Sequence, residues 1–150
     1  MDFPSRMPLP STLPENIEQS LNIKPAEVLK ARDYVLVYNN EKEISDIKID
    51  RHLFDQLNLD PGGVIVTAKG NECDFVSRFF TPQASILEDP VTGSAHCSLI
   101  PFWAVRLNKN KLYAQQISER IGKLYCENMG DRVIISGQAV TYSIGNLWTA

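Results

Sequence analysis

Ser94-Ala95-His96-Cys97-Ser98-Leu99-Ile100-Pro101-Phe102-Trp103-Ala104-Val105-Arg106-Leu107 decides how the rest of this chain is read. The spacing predicts a helix, and Ala95, Leu99, Ile100, Phe102, Trp103, Val105 and Leu107 cover most of its circumference. A helix that is apolar nearly all round must be buried on nearly all sides. Pro101 lies inside it and removes one ladder bond, at a cost of ~3 kcal/mol if nothing compensates, so a kink near Cys97 is expected. The wrapping available in 150 residues is a set of strands. The expected fold is therefore α+β, a curled, mostly antiparallel sheet wrapped around one buried central helix.

After this helix the pattern is strands only, over 112–118, 122–127, 131–136 and 139–144. Their separators, Glu119-Arg120, Asn128-Met129-Gly130 and Gly137-Gln138, are short enough to force antiparallel neighbours. Before the helix, Cys73 to Phe80 and the β-branched run Val64 to Ala68 read as strands, with turns at Gly70-Asn71 and Pro61-Gly62-Gly63. Arg51 to Leu57 reads as a helix. Ile44 to Ile49 alternates apolar and polar residues and reads as a strand. Asp33 to Tyr38 reads as another strand, bounded by an Asn39-Asn40 turn, and Pro14 opens a short helix to about Leu21. Residues 1–14 hold Pro4, Pro8, Pro10 and Pro14 and have the composition of an extended linker, which leaves 15–150 as the folded unit.

Composition excludes several function classes. Hydrophobic content is 43% and charged content 22%, enough for a full core without disulfides or metal. Net charge is −3 and no Lys/Arg cluster is present, so nucleic acid is not an expected partner. No stretch approaches the ~20 apolar residues of a membrane span, and no secretory signal opens the chain. Cys73, Cys97 and Cys126 are odd in number and widely spaced, which fits a reducing cytoplasm and no metal centre.

The chemistry points to Glu88-Asp89-Pro90-Val91-Thr92-Gly93-Ser94-Ala95-His96, the approach to the helix. The first N–H groups of a helix lack internal partners, and its dipole adds about half a positive charge there. A carboxylate is held at such a point without a basic side chain. An acid beside it is a candidate proton donor or acceptor. Thr92 and Ser94 are equally ordinary N-cap residues, and Asp89-Pro90 an ordinary turn. His96 and Cys97 are adjacent on the helix and point about 100° apart, so they do not form a nucleophile pair. Arg78 and Arg120 are candidates for orienting a carboxylate.

This stretch resembles the signature in the second half of the PhzF-like isomerases, relatives in fold of diaminopimelate epimerase. Asp74-Phe75-Val76-Ser77-Arg78-Phe79-Phe80-Thr81-Pro82 is similar to the strand leading into it. Ala114, Gln116, Ser118, Arg120 and Gly122 are similar to the family's A-x-Q-x-S-x-R-x-G strand, and Asp131-Arg132-Val133 and Gly137-Gln138-Ala139-Val140 to its closing strands. Ile121 departs from the pattern, which commonly has glycine there. The resemblance implies a two-lobed fold, each lobe a sheet around one helix, with the active site between. It implies cofactor-free proton transfer on a small carboxylate-bearing molecule. It places Asp89 as a proton relay in the cleft and Gly93 and Ser94 as substrate-binding positions; Thr92 and His96 join them as substrate-binding candidates from their own place at the helix start.

In the family the principal base is a glutamate, helped by a histidine, and both belong to the first lobe. Residues 1–80 show no equivalent. The chain thus reads as a C-terminal lobe holding half of an active site and inactive without a first-lobe partner, whether excised, split or free-standing. The alternative is a non-catalytic binding or self-assembling module on the same fold, since a face meant for the other lobe is expected to be apolar and to associate, as in a homodimer.

Overall fold

The computed structural model describes residues 1–59 and 62–148. In chain order the elements are β1 (Asp2–Pro4), β2 (Leu9–Pro10), α1 (Glu15–Ser20), β3 (Glu27–Lys30), β4 (Tyr34–Val37), α2 (Glu41–Asp46), α3 (Arg51–Phe54), β5 (Val64–Lys69), β6 (Phe75–Phe80), α4 (Gly93–Leu107), β7 (Lys111–Gln116), β8 (Gly122–Asn128) and β9 (Arg132–Ser136). The strands make one open sheet in the order β1-β9-β8-β7-β6-β5-β4-β3-β2. Every neighbouring pair is antiparallel except β4–β5 and β6–β7. The class is α+β, as the sequence implies.

The two parallel steps place the helices. Each needs a crossover, and the crossovers carry α2 with α3, and α4. Both step in the same direction across the sheet, but β4 and β6 run oppositely. Right-handed crossovers then put the two sets of helices on opposite faces. The side chains divide accordingly, with period two. Val35, Val37, Ile65, Phe75 and Phe79 face a core shared with α4, while Leu36, Val64, Val66, Val76 and Phe80 face a second core with Ile17, Ile44 and Phe54. The central strands are covered on both sides, which accounts for their unbroken apolar runs.

Curvature follows from the inner core. Leu29 of β3 and Val133 and Ile135 of β9 belong to the same cluster around α4. These strands are six steps apart, about 29 Å in a flat sheet at ~4.8 Å per step. A helix is only ~10–12 Å across, so the sheet must curl to reach it from both ends. Ala95 through Ala104 are all buried. Trp103 stacks on Phe75 with ring centroids 5.8 Å apart. Its indole N–H donates to Thr67 Oγ1 at 3.0 Å, and the Thr67 hydroxyl donates to the Val76 carbonyl.

Pro101 leaves the Cys97 carbonyl without its usual acceptor role toward residue 101, yet α4 runs from Gly93 through Leu107. The missing donor comes from outside the helix: the Arg6 N–H donates to the Cys97 carbonyl at 2.9 Å. Residues 1–14, read as a linker, are therefore bonded into the sheet and its core. Asp2–Pro4 pairs with β9 at one edge, Leu9–Pro10 pairs with β3 at the other, and the segment between crosses α4.

Two expected strands are absent. Residues 44–49 do not form a strand; Glu41–Asp46 is helical, with Ile44 and Ile47 buried three apart on one side. Asn40 caps this helix by accepting from the Glu43 N–H, and Glu43 reaches back to the Asn39 N–H. Residues 139–144 do not form a strand either; Val140, Tyr142 and Ile144 are almost fully exposed. The alternation is present, but the neighbouring edge position beside β9 is taken by β1. The two short helices expected from Pro14 and Arg51 onward are present as α1 and α3, and with α2 they pack as an outer layer on the second face of the sheet. Pro61 of the expected Pro61-Gly62-Gly63 turn lies outside the described residues.

Deleting residues 1–8 is expected to lower stability by at least ~2 kcal/mol, because a buried carbonyl is orphaned. Pro101→Ala is expected to restore more stability in the shortened chain than it adds to the full chain, since the substituted alanine brings its own N–H to the Cys97 carbonyl. Urea denaturation of the four variants measures this coupling; additive effects would show that Arg6 does not compensate Pro101.

Candidate functional site

Residues 88–92 are the last part of the connection from β6 to α4, and each of them is held in place by a side chain or a close contact. At its start, Arg78 of β6 makes a two-pronged ion pair with Glu88, both N···O distances being 2.8 Å. The same guanidinium donates to the carbonyls of Ile44 and Ile47, so it ties the loop to the outer helices. Arg78 is fully engaged and Glu88 is its counter-ion; neither is free for a ligand. Ser118 donates from its hydroxyl to the Pro90 carbonyl at 2.7 Å. Val91 packs on Gly122, where a Cβ would lie 2.4 Å from a Val91 methyl; only glycine leaves that space.

The centre of the loop is held by Gln116, a wholly buried residue at the end of β7. Its Oε1 accepts from the Thr92 N–H at 2.8 Å. Its Nε2 donates to the Asp89 carbonyl at 2.7 Å and to Thr92 Oγ1 at 3.2 Å. The backbone donor fixes which end of the carboxamide faces which way. Thr92 Oγ1 then receives one hydrogen, and its own is directed to Asp89 Oδ2, 2.6 Å away. Asp89 is half-buried, and its Oδ1 makes no hydrogen bond among the described residues.

This arrangement changes the start of α4. Thr92 occupies the N-cap position but its side chain makes no cap hydrogen bond. Its oxygen is used on Asp89 and Gln116 instead. The N–H groups of Gly93, Ser94 and Ala95 have no acceptor from the cap residue, and Gly93 and Ser94 are only half-buried. A Cβ on Gly93 would meet nothing within 4 Å, so this corner is open. Beside it lies a cleft of about 670 Å³ lined by Gly93, Val91, Ile121, Leu124 and Gln138 among others. Asp89 does not line that cleft.

His96 lies beneath the loop rather than beside it. It is wholly buried, its ring 5.9 Å from that of Phe75. Nδ1 lies 2.8 Å from the Thr92 carbonyl, and since a carbonyl only accepts, Nδ1 carries the proton. Nε2 is left as a buried acceptor without a partner. Burial lowers the His96 pKa to about 4, so the ring is neutral near pH 7. Cys97 is buried one residue on, and burial pushes its thiol up, away from nucleophilic character. Arg120 is exposed in the β7–β8 turn. Among the described residues, no three His, Cys, Asp or Glu side chains come together to hold a metal, and no helix is long and apolar enough to cross a membrane.

Thus the structure brings Asp89, Thr92, Gly93 and Ser94 together at the mouth of α4, with His96 supporting them from inside. The residues that organise them, Gln116 and Ser118, stand only as members of a strand pattern in the sequence. Their spacing of two marks a shared face, but the loop they grip is 24 or more residues away.

The profile of the family described as "Phenazine biosynthesis-like protein" matches residues 9–145. An uncharacterized isomerase of Pseudomonas aeruginosa is 47% identical over 148 residues, 98% of this chain and 56% of the relative. One of Halalkalibacterium halodurans is 41% identical over 145 residues, 94% of this chain and 54% of the relative. A crystal structure of a PhzF-family phenazine biosynthesis protein from Enterococcus faecalis superposes with a TM-score of 0.86 at 43% identity, covering 95% of this chain and 55% of that one. The chain spans little more than half the length of the relatives it matches.

Two measurements check this site. Gln116→Leu keeps the volume but strips three hydrogen bonds, and is expected to cost about 2–4 kcal/mol and to raise amide exchange at Thr92 more than in the core of α4. For His96, the folded pKa lies below the unfolded value of ~6.5, so the unfolded chain binds more protons between the two. Its contribution is complete above about pH 6.5 and is lost as pH falls toward 4, about 3 kcal/mol in all. His96→Gln should flatten that part of the curve of denaturation midpoint against pH; an unchanged slope would assign the acid sensitivity elsewhere.

Proposed function

Since this chain belongs to the phenazine biosynthesis-like family, we propose that it forms one wall of an isomerase cleft, moving a proton between carbons of a small carboxylate-bearing molecule without metal or organic cofactor. In this reading the N–H groups of the half-buried Gly93 and Ser94, with that of the buried Ala95 behind them, take the substrate carboxylate, and the Ser94 hydroxyl adds a further donor. Asp89 relays the proton: Thr92 anchors its Oδ2, which leaves Oδ1 for the exchange. His96 and Gln116 hold the loop and do not touch substrate.

The observation that carries this reading is the N-cap threonine that does not cap. A threonine there ordinarily satisfies a first-turn N–H, for about 1 kcal/mol. Here the hydroxyl is turned onto Asp89, and the helix end stays open toward the surface. Such a choice favours an anion over local stability.

Removing a carbon-bound proton needs a placed base and a stabilised carbanion. The family's glutamate base has no counterpart in this chain, so the active unit requires a first-lobe partner. Support for a partner comes from Val140, Tyr142, Ile144, Leu147 and Trp148, large apolar side chains left almost entirely in solvent. The same side chains favour the second reading, a self-assembling module without catalysis. A cytoplasmic setting suits either reading and suits Cys73, Cys97 and Cys126, which are free.

The isolated chain is expected to incorporate no solvent deuterium into a panel of small carboxylates. Mixed with the first half of the Pseudomonas relative it should gain exchange, and Asp89→Asn should lower that by at least ~100-fold. Deleting residues 138–148 should abolish association while leaving the melting temperature within a few degrees. Exchange by the isolated chain, lost on Asp89→Asn, would overturn the need for a partner. A homodimer by sedimentation that takes up no first lobe would favour the self-assembling module.

A further inference from the structure

The β7–β8 turn holds a residue that the fold itself does not explain. Ile121 has φ +50, in the left-handed region where a β-branched residue is a true outlier. The other non-glycine residues with positive φ among those described are Gln83 and Asn108; Asn108 ends α4 in the way asparagine commonly does. Ile121 belongs to neither core and is 56% exposed. Its backbone N–H donates to the Ser118 carbonyl at 3.1 Å, a duty that glycine would serve as well at less conformational cost. What isoleucine adds is an apolar side chain at the mouth of the cleft that Gly93 also lines, beside Val91 and Leu124. Strain kept where it contributes nothing to folding points to use at a site.

We propose that Ile121 is a specificity residue: it forms an apolar wall over the cleft next to the open end of α4 and selects carboxylates that carry an apolar group over small polar ones. This rests on the reading of α4 as the carboxylate subsite. The carboxylate is held by the N–H groups of Gly93 to Ala95, and the remainder of the ligand lies along Val91, Ile121 and Leu124. Arg120, exposed one residue earlier, lies on the same turn but is not needed for the selection.

The test uses the full 150-residue chain and two probes, acetate and benzoate, titrated by the amide shifts of Gly93, Ser94 and Ala95. Benzoate is expected to bind about tenfold tighter than acetate, the gain from burying part of a ring. Ile121→Asn removes the apolar wall and keeps a residue suited to φ +50. It should melt at or above the wild-type temperature, keep its acetate affinity within twofold, and lose most of the preference for benzoate. Ile121→Gly should behave alike. That combination separates selectivity from damage, because a misfolded variant would melt lower and lose acetate as well. An undiminished benzoate preference in Ile121→Asn, or none in the wild type with acetate still bound, overturns the role of Ile121 alone. If the wild type binds neither probe at these amides, the carboxylate subsite falls, and this inference with it.

Discussion

The carboxamide of Gln116 is the contact on which the rest of the site depends. A buried amide is costly unless its donor and acceptor ends are both satisfied, and here each end meets the loop between β6 and α4. The Thr92 N–H fixes the acceptor end. The donor end then fills one lone pair of the Thr92 hydroxyl and turns the hydroxyl hydrogen onto Asp89. One orientation in a wholly buried side chain thereby sets the direction of a carboxylate and leaves the first turn of α4 uncapped. Ser118, Gly122 and Arg78 fix the residues on either side, so the loop is located at several points by the sheet beneath it.

That location is possible only because α4 is where it is. Two crossovers of one hand on oppositely directed strands send their helices to opposite faces, and α4 receives the face that curls. A helix buried from Ala95 to Ala104 can lose no backbone bond there without a replacement. Pro101 removes one and Arg6 supplies it from a segment that also pairs at both edges of the sheet. The opening residues are thus structural for the helix whose end carries the site, although nothing local to them requires it.

The sequence made α4 legible because its apolar residues cover nearly all of its circumference, and burial follows over Ala95 to Ala104 though not at Val105, which is exposed. The strands 64–69, 75–80, 111–116, 122–128 and 132–136 were legible from β-branched runs and short polar separators. The region 41–46 was not, because Ile44, Ile47 and Ile49 satisfy a strand reading about as well as a helix reading. The deciding signal was the capping pair Asn40 and Glu43, which outweighs three isoleucines at mixed spacing. The edge strands 2–4 and 9–10 were invisible since their pairing is with residues far along the chain. At the site, Asp89 to Ser94 could be found from local chemistry. Gln116 could not, because its role is a contact between residues 24 apart and a sequence shows only that it faces inward.

Unused local stability is not spread evenly over this molecule. The cap hydroxyl diverted from α4 and the β-branched residue at φ +50 each forgo a stabilising alternative, and the apolar side chains after Ser136 stay exposed. Ile121 lines one cleft, Gly93 next to Thr92 lines it too, and Gly137 and Gln138 lead from it toward the exposed tail. Elsewhere the same chain is careful, down to a donor brought from Arg6 for one carbonyl. Departures from local preference that gather along one surface point to a role there beyond folding. Here that surface begins at the open end of the central helix, where first-turn N–H groups are left without a cap acceptor.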